Sequence, residues 1–236
     1  MNNDIPPQET YSAPSLAQAV PPAIPVMAIP APKGIGSVLE LLLRNPTALV
    51  HHMSASKEAS IGSSLLIVAI ISLSLFGIVV GSFSGGIQWW AAPLKITLGM
   101  LFSTAICFPS LYIFTCLSGI EIRISKLIQL VLGMTAITGI LLLGFAPVSW
   151  VFAQSTDSIP IFGFLNLVFW AIGIIFGLKF LSRQLVGEKA SMLSLWVLIF
   201  LLVCMQMTTT LRPIIGKADT LLPKEKKFFL SYMFMK

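Results

Sequence analysis

Few side chains in this sequence are of types that do chemistry, and their spacing counts against each reaction in turn. The run Gly81-Ser-Phe-Ser-Gly-Gly86 resembles the serine nucleophile turn, G-x-S-x-G, but Phe83 stands at its central position. No histidine follows His52 to serve as a base. His51 and His52 are adjacent, so on a helix they point about 100° apart and make a poor metal pair. Cys107 and Cys116 are nine residues apart, which puts them on opposite helix faces. With Cys204 they lie in apolar runs and read as small buried hydrophobes, not as a disulfide or metal site. An intramembrane metalloprotease needs His and carboxylates on a helix, and an aspartyl protease needs two Asp, but every Asp, Glu and His falls outside the apolar stretches. The expectation is a protein that is not an enzyme, with no catalytic residue, no metal and no cofactor.

Those stretches dominate the sequence. Ala59–Leu94, Ile96–Ile120, Leu127–Thr156, Ser158–Leu178 and Ala190–Leu211 contain no Asp, Glu, Lys or Arg. Each can supply the roughly 20 apolar residues that a helix needs to cross hydrocarbon. Across the 236 residues, 56% are hydrophobic and 10% are charged, against about 25% charged in an ordinary soluble domain. The expected fold class is therefore all-α: a polytopic membrane protein, a bundle of five transmembrane helices preceded by an amphipathic interfacial helix. The spans are expected near Ser63–Phe83, Leu94–Thr115, Ile124–Val151, Ile161–Leu181 and Met192–Leu211, with Pro109 interrupting the second and Pro147 near the far end of the third. On this reading no ionised group lies at lipid depth, which leaves the protein an architectural element.

The chain divides accordingly. Residues 1–34 hold eight of the fifteen prolines and read as a disordered, Pro-rich cytoplasmic tail. Residues 35–60 form an amphipathic interfacial segment, with Leu39, Leu42 and Leu43 on one helical face and Pro46 as a break. Residues 61–212 are the five-helix domain, and 213–236 a basic, aromatic tail. The net charge of +6 points to no nucleic acid. Arg44, Arg123, Lys126, Lys179, Arg183 and Lys189 sit beside the expected spans, where they orient the protein and meet anionic headgroups. Loops Glu121–Lys126 and Lys179–Lys189 are basic, whereas Ser84–Ala92 is uncharged and Gln154–Pro160 carries only Asp157. This alternation puts the N-terminus in the cytoplasm and the C-terminus outside, although the tail itself is lysine-rich.

The positive signal is for helix association. Gly77-x-x-x-Gly81, Gly81-x-x-x-Gly85 and Gly173-x-x-x-Gly177 place small residues four apart, making grooves in which another backbone approaches closely. Gly133, Gly139 and Gly144 add close-approach sites. Trp89 and Trp90 suit an aromatic belt, and Arg212 suits an interfacial anchor before Pro213. Polar residues at membrane depth include Thr97, Thr104, Gln129, Thr135, Thr138, Asn166 and Gln206. Hydroxyls bonded to their own helix account for the threonines.

Three blocks carry a resemblance: Gly81-Ser-Phe-Ser-Gly-Gly-Ile-Gln88, Ile106-Cys-Phe-Pro-Ser-Leu-Tyr112 and Gln206-Met-Thr-Thr-Thr-Leu-Arg-Pro-Ile-Ile-Gly216. In this order, from about Leu39 onward, they resemble an uncharacterised family of bacterial multi-pass inner-membrane proteins. In that family the last block usually has Phe where this chain has Ile214. The five-span plan after a Pro-rich tail also resembles, distantly, the Yip (Ypt-interacting protein) superfamily, whose Asp-Leu-Tyr-Gly-Pro and Tyr-Gly-Tyr-Ser motifs are absent. The resemblance implies a bacterial inner membrane but no reaction. The expected function is a non-enzymatic structural or assembly component of a membrane complex, its partners being lipid, other membrane proteins or a second copy of itself. The alternative is a small-solute transporter or channel subunit, with polar groups near Pro109 and Gln206 along the path.

Overall fold

The computed structural model describes residues 34–55, 58–156, 158–185 and 190–210. The Pro-rich tail, the basic C-terminal tail and Arg212 lie outside the described residues. Among the described residues seven helices follow one another: α1 (Ile35–Arg44), α2 (Pro46–Ala55), α3 (Glu58–Ser84), α4 (Gln88–Leu117), α5 (Ile124–Ser155), α6 (Ile159–Gln184) and α7 (Ala190–Thr210). No strand occurs among the described residues. The physical reason is backbone satisfaction, since a chain apolar on all sides can meet its own N–H and C=O groups in hydrocarbon only as a helix or a closed barrel.

Helices α3 to α6, of 27, 30, 32 and 26 residues, are long and apolar enough to cross a membrane. Five such helices were expected. Helix α7 has 21 residues, and its described apolar part, Leu193–Thr208, is shorter than the other four. Pro109 and Pro147 do not end their helices; α4 and α5 run through them. Many hydroxyls turn back on their own helix, as Thr104 does on the Met100 carbonyl (2.8 Å), Thr115 on Leu111 (2.7 Å) and Thr135 on Val131 (3.0 Å).

The N-terminal helices use their apolar faces against the bundle. Val38 and Leu42 of α1 and Leu49, Val50 and Met53 of α2 are buried, and α1 packs on α3 and α5. Leu43, expected beside Leu42 on the apolar face, is exposed, because the buried stripe follows the i, i+4 pair Val38–Leu42 instead. Asn45 separates the two helices. Its side-chain oxygen accepts from the Ala48 N–H (3.2 Å), and Pro46 at the first helical position has no N–H to satisfy.

The five longer helices contact one another in the sequence α6–α5–α3–α4–α7. Helix α7 packs on α4 and, among the described residues, makes no more than marginal contact with any other element. The contacts therefore form an open arc, not a closed ring, with a notch between α6 and α7.

Hydrogen bonds between helices hold several places on the arc. The Trp196 indole N–H of α7 donates to the Cys107 carbonyl of α4 at 3.0 Å, and the Thr138 hydroxyl of α5 reaches the Gly173 carbonyl of α6 at 3.2 Å. Between α3 and α4 the chain reverses over Gly85 and Gly86, with φ of +66° and +56°. Those left-handed conformations cost glycine nothing sterically, which is why the reversal is so short.

Candidate functional site

The reversal at Gly85–Gly86 has a consequence for the next helix. It lets α4 begin at Gln88, several residues before the expected start near Leu94, so Lys95 stands two turns into the helix and not at its very beginning. At 1.5 Å per residue Lys95 stands about 10 Å along α4. Its side chain is buried, with 5% exposure. A titratable side chain therefore lies within one of the four membrane-length helices, where none was expected.

Lys95 lines a cavity of about 370 Å³ that fills the notch. Phe76 and Val80 of α3, Gly99 and Ser103 of α4, Asn166 and Trp170 of α6, and Leu201 and Thr208 of α7 also line it. All of these lie in the same half of the bundle, toward the α3–α4 and α5–α6 connections. The walls are mainly hydrocarbon and aromatic, with few polar groups.

Asn166 is pinned in place. Its side-chain carbonyl accepts from the Ser149 hydroxyl at 2.7 Å, and its amide donates to the Phe162 carbonyl at 2.8 Å. A buried Asn with both ends engaged is rigid, and each such bond contributes about 1 kcal/mol. Outside the cavity lining, the Ser74 and Thr97 hydroxyls meet at 3.1 Å between α3 and α4, two residues beyond Lys95. The site is thus a greasy recess with an ammonium on one wall and a fixed amide on another. Such a recess suits binding better than bond-making.

The glycines expected to mark association face neighbouring helices of this same chain. A Cβ on Gly77 would run into the backbone of Pro93. On Gly81 it would meet the Gln88 carbonyl oxygen at 2.5 Å and the Ala92 Cβ at 3.2 Å. On Gly177 it would collide with the Thr138 hydroxyl and lie 2.9 Å from the Met134 carbonyl, and on Gly173 it would lie 3.3 Å from the Thr138 methyl. Gly85, expected in the same groove, lies beyond the end of α3 with nothing within 4 Å of an added Cβ; it serves the turn. Gly133 and Gly139 admit Phe180 and Leu73, whereas Gly144 faces open space.

Trp89 and Trp90 are in the first turn of α4, both exposed, Trp90 at 83%. His51 and His52 meet edge to face with ring centroids 6.4 Å apart. Among the described residues no three His, Cys, Asp or Glu side chains come together. Pro109 and Gln206, expected along a solute path, are exposed and do not line the cavity. Lys95 was legible only as a break between two uncharged runs. A sharper signal was present in its isolation, a single cation with no other charge from Ala59 to Ile120.

No protein family, curated protein or solved structure matches this chain. The chemistry of the recess itself is what indicates a function.

Proposed function

We propose that this is a non-enzymatic integral membrane protein that holds a small membrane-soluble molecule in the cavity between α4, α6 and α7, as the binding component of a transport or membrane-complex system. The observation that carries this reading is Lys95, buried on the wall of a mainly apolar cavity. An ammonium among apolar helices costs several kcal/mol and persists where it is used. The reading is non-enzymatic because every His and carboxylate of the sequence lies outside the apolar stretches. The glycine grooves lend less support to an assembly role than their spacing implied, since the chain's own helices fill them.

Five spans are part of the proposal. The 21 residues of α7 would reach about 31 Å, close to the thickness of a hydrocarbon core. Arg123 in the α4–α5 connection and Lys126 in the first turn of α5 favour the cytoplasm for that side, and the uncharged α3–α4 turn favours the outside. The N-terminal helices α1 and α2 would then lie at the cytoplasmic interface, the C-terminus outside, and the cavity in the outer half of the membrane. A bacterial inner membrane as the location belongs to the proposal as well, and rests on the resemblance of the three sequence blocks alone.

Two results are expected. Protein taken from its native membrane will carry a small-molecule adduct by native mass spectrometry, and Ala171→Trp, which plugs the mouth of the cavity, will lose it; identical spectra for the two would end the binding reading. In a cysteine-free background, a cysteine at Gly86 will react with an impermeant maleimide from outside intact cells and one at Gly119 will not. The reverse pattern would invert the topology.

A further inference from the structure

We infer that the cavity takes a single-chain anionic amphiphile of the fatty-acid type, its carboxylate against the Lys95 ammonium and its hydrocarbon chain leaving the notch between α6 and α7. This rests on the cavity being a binding site, as proposed above, and adds the chemical class of its occupant. Depth, direction, size and opening each bear on it.

Depth comes first. Helix α4 has 30 residues and is about 45 Å long, so in a hydrocarbon core about 30 Å thick some 7 Å would protrude at each end if it were centred. Lys95, about 10 Å along, then stands roughly 3 Å inside the boundary. That is the level of an acyl carboxylate in a leaflet. A lysine there can extend along the helix surface and reach the headgroups. Lys95 does the opposite: it is buried, against the cavity that separates α4 from α6. Its ammonium carries three N–H donors, which can serve a protein contact and a ligand acid together.

Size and opening select the rest of the molecule. A cavity of about 370 Å³ is at the small end of the roughly 300–1,000 Å³ usual for ligand sites. It suits one hydrocarbon chain; the paired chains and headgroup of a phospholipid need more room. The recess is only partly enclosed, and exposed Ala171, Leu201 and Met205 line its outer side. A chain leaving between them passes from protein wall into lipid without crossing polar surface. Trp170 offers a flat apolar wall inside.

The test uses the full chain in phosphatidylcholine nanodiscs with photoreactive diazirine palmitate, and mass spectrometry to locate the adducts. Adducts are expected on α6 and α7 around Trp170 and Leu201. They should be competed by palmitate and reduced roughly tenfold in Lys95→Gln, a difference worth about 1.4 kcal/mol, while Lys95→Arg keeps them. Adducts spread evenly over all lipid-facing helices would overturn the inference. So would full labelling of a Lys95→Gln protein that elutes and melts like the wild type. Equal competition by hexadecanol would remove the anionic class and leave the cavity as a binding site. Loss of palmitate adducts on adding phosphatidylglycerol would assign the recess to a two-chain lipid and reject this occupant. Should Lys95→Gln fail to fold, Ala171→Trp takes its place, and adducts that persist around Trp170 with the mouth plugged would reject the inference equally.

Discussion

Gly77→Leu is expected to prevent the α3–α4 hairpin from closing. The added side chain meets the backbone of Pro93, not the flexible end of a side chain, so no rotamer change relieves it. Overpacking of a well-filled interior costs typically 1–3 kcal/mol and more when backbone must move, so a loss of about 3 kcal/mol or greater is expected here. Pro93 adds to the rigidity, because its ring fixes φ and its position in the helix. Gly81→Leu should behave similarly, since the Gln88 carbonyl stands at 2.5 Å from the new Cβ. Gly144→Ala is the control. Nothing lies within 4 Å of its Cβ, and replacing a mid-helix glycine there should leave stability unchanged or raise it by about 0.5–1 kcal/mol. Thermal midpoints and elution profiles in detergent read all three. A Gly77→Leu protein as heat-stable and monodisperse as the wild type, but of smaller assembled size, would move this groove from inside the molecule to a contact between molecules.

Trp196→Ala is expected to loosen α7 from the rest of the protein. Trp196 is 1% exposed, stacks on Phe200 with centroids 5.3 Å apart, and donates its indole N–H to the Cys107 carbonyl. Since α7 leans on α4 and little else among the described residues, this side chain is its main tether. Removing a buried Trp costs about 3–5 kcal/mol. Trp196→Phe keeps most of the ring and loses the hydrogen bond, at about 1 kcal/mol, since the Cys107 carbonyl still accepts from the Ser110 hydroxyl at 2.8 Å. The sensitive readout is the reactivity of Cys204, which faces the cavity from α7, toward a membrane-permeant maleimide in a Cys107→Ser, Cys116→Ser background. Alkylation should be fastest in Trp196→Ala, intermediate in Trp196→Phe and slowest in the parent. Equal rates in all three would mean that α7 is held by something other than this tether.

These two expectations also separate the levels of information in the chain. The helical class, the approximate spans and the paired charge pattern of the connections follow from one-dimensional properties: uncharged runs long enough for hydrocarbon, punctuated by polar residues. The glycine spacing was equally visible. Its meaning was not, because a groove four residues wide looks the same whether it receives a neighbouring helix of the same chain or one from a partner. Only the placement of Pro93 and Gln88 against α3, and of Thr138 and Met134 against α6, assigns those grooves to the fold.

Lys95 shows the limit most plainly. In the sequence it parts two apolar runs, and a cation between two spans is the usual mark of a connecting loop. Its true position depends on where the preceding turn ends. Two glycines in left-handed conformation compress that turn to a few residues, so the helix starts early and draws the lysine inside. Whether a side chain on the resulting helix points to lipid, to a neighbour or into a recess depends on helix rotation, which packing sets. By itself the sequence determined a helical protein with hydrocarbon-length segments and few chemical groups. Tertiary structure decided that the arc of helices stays open and that its one interrupting cation faces the gap, because helix start points and rotations are fixed by long-range contacts that no local pattern encodes.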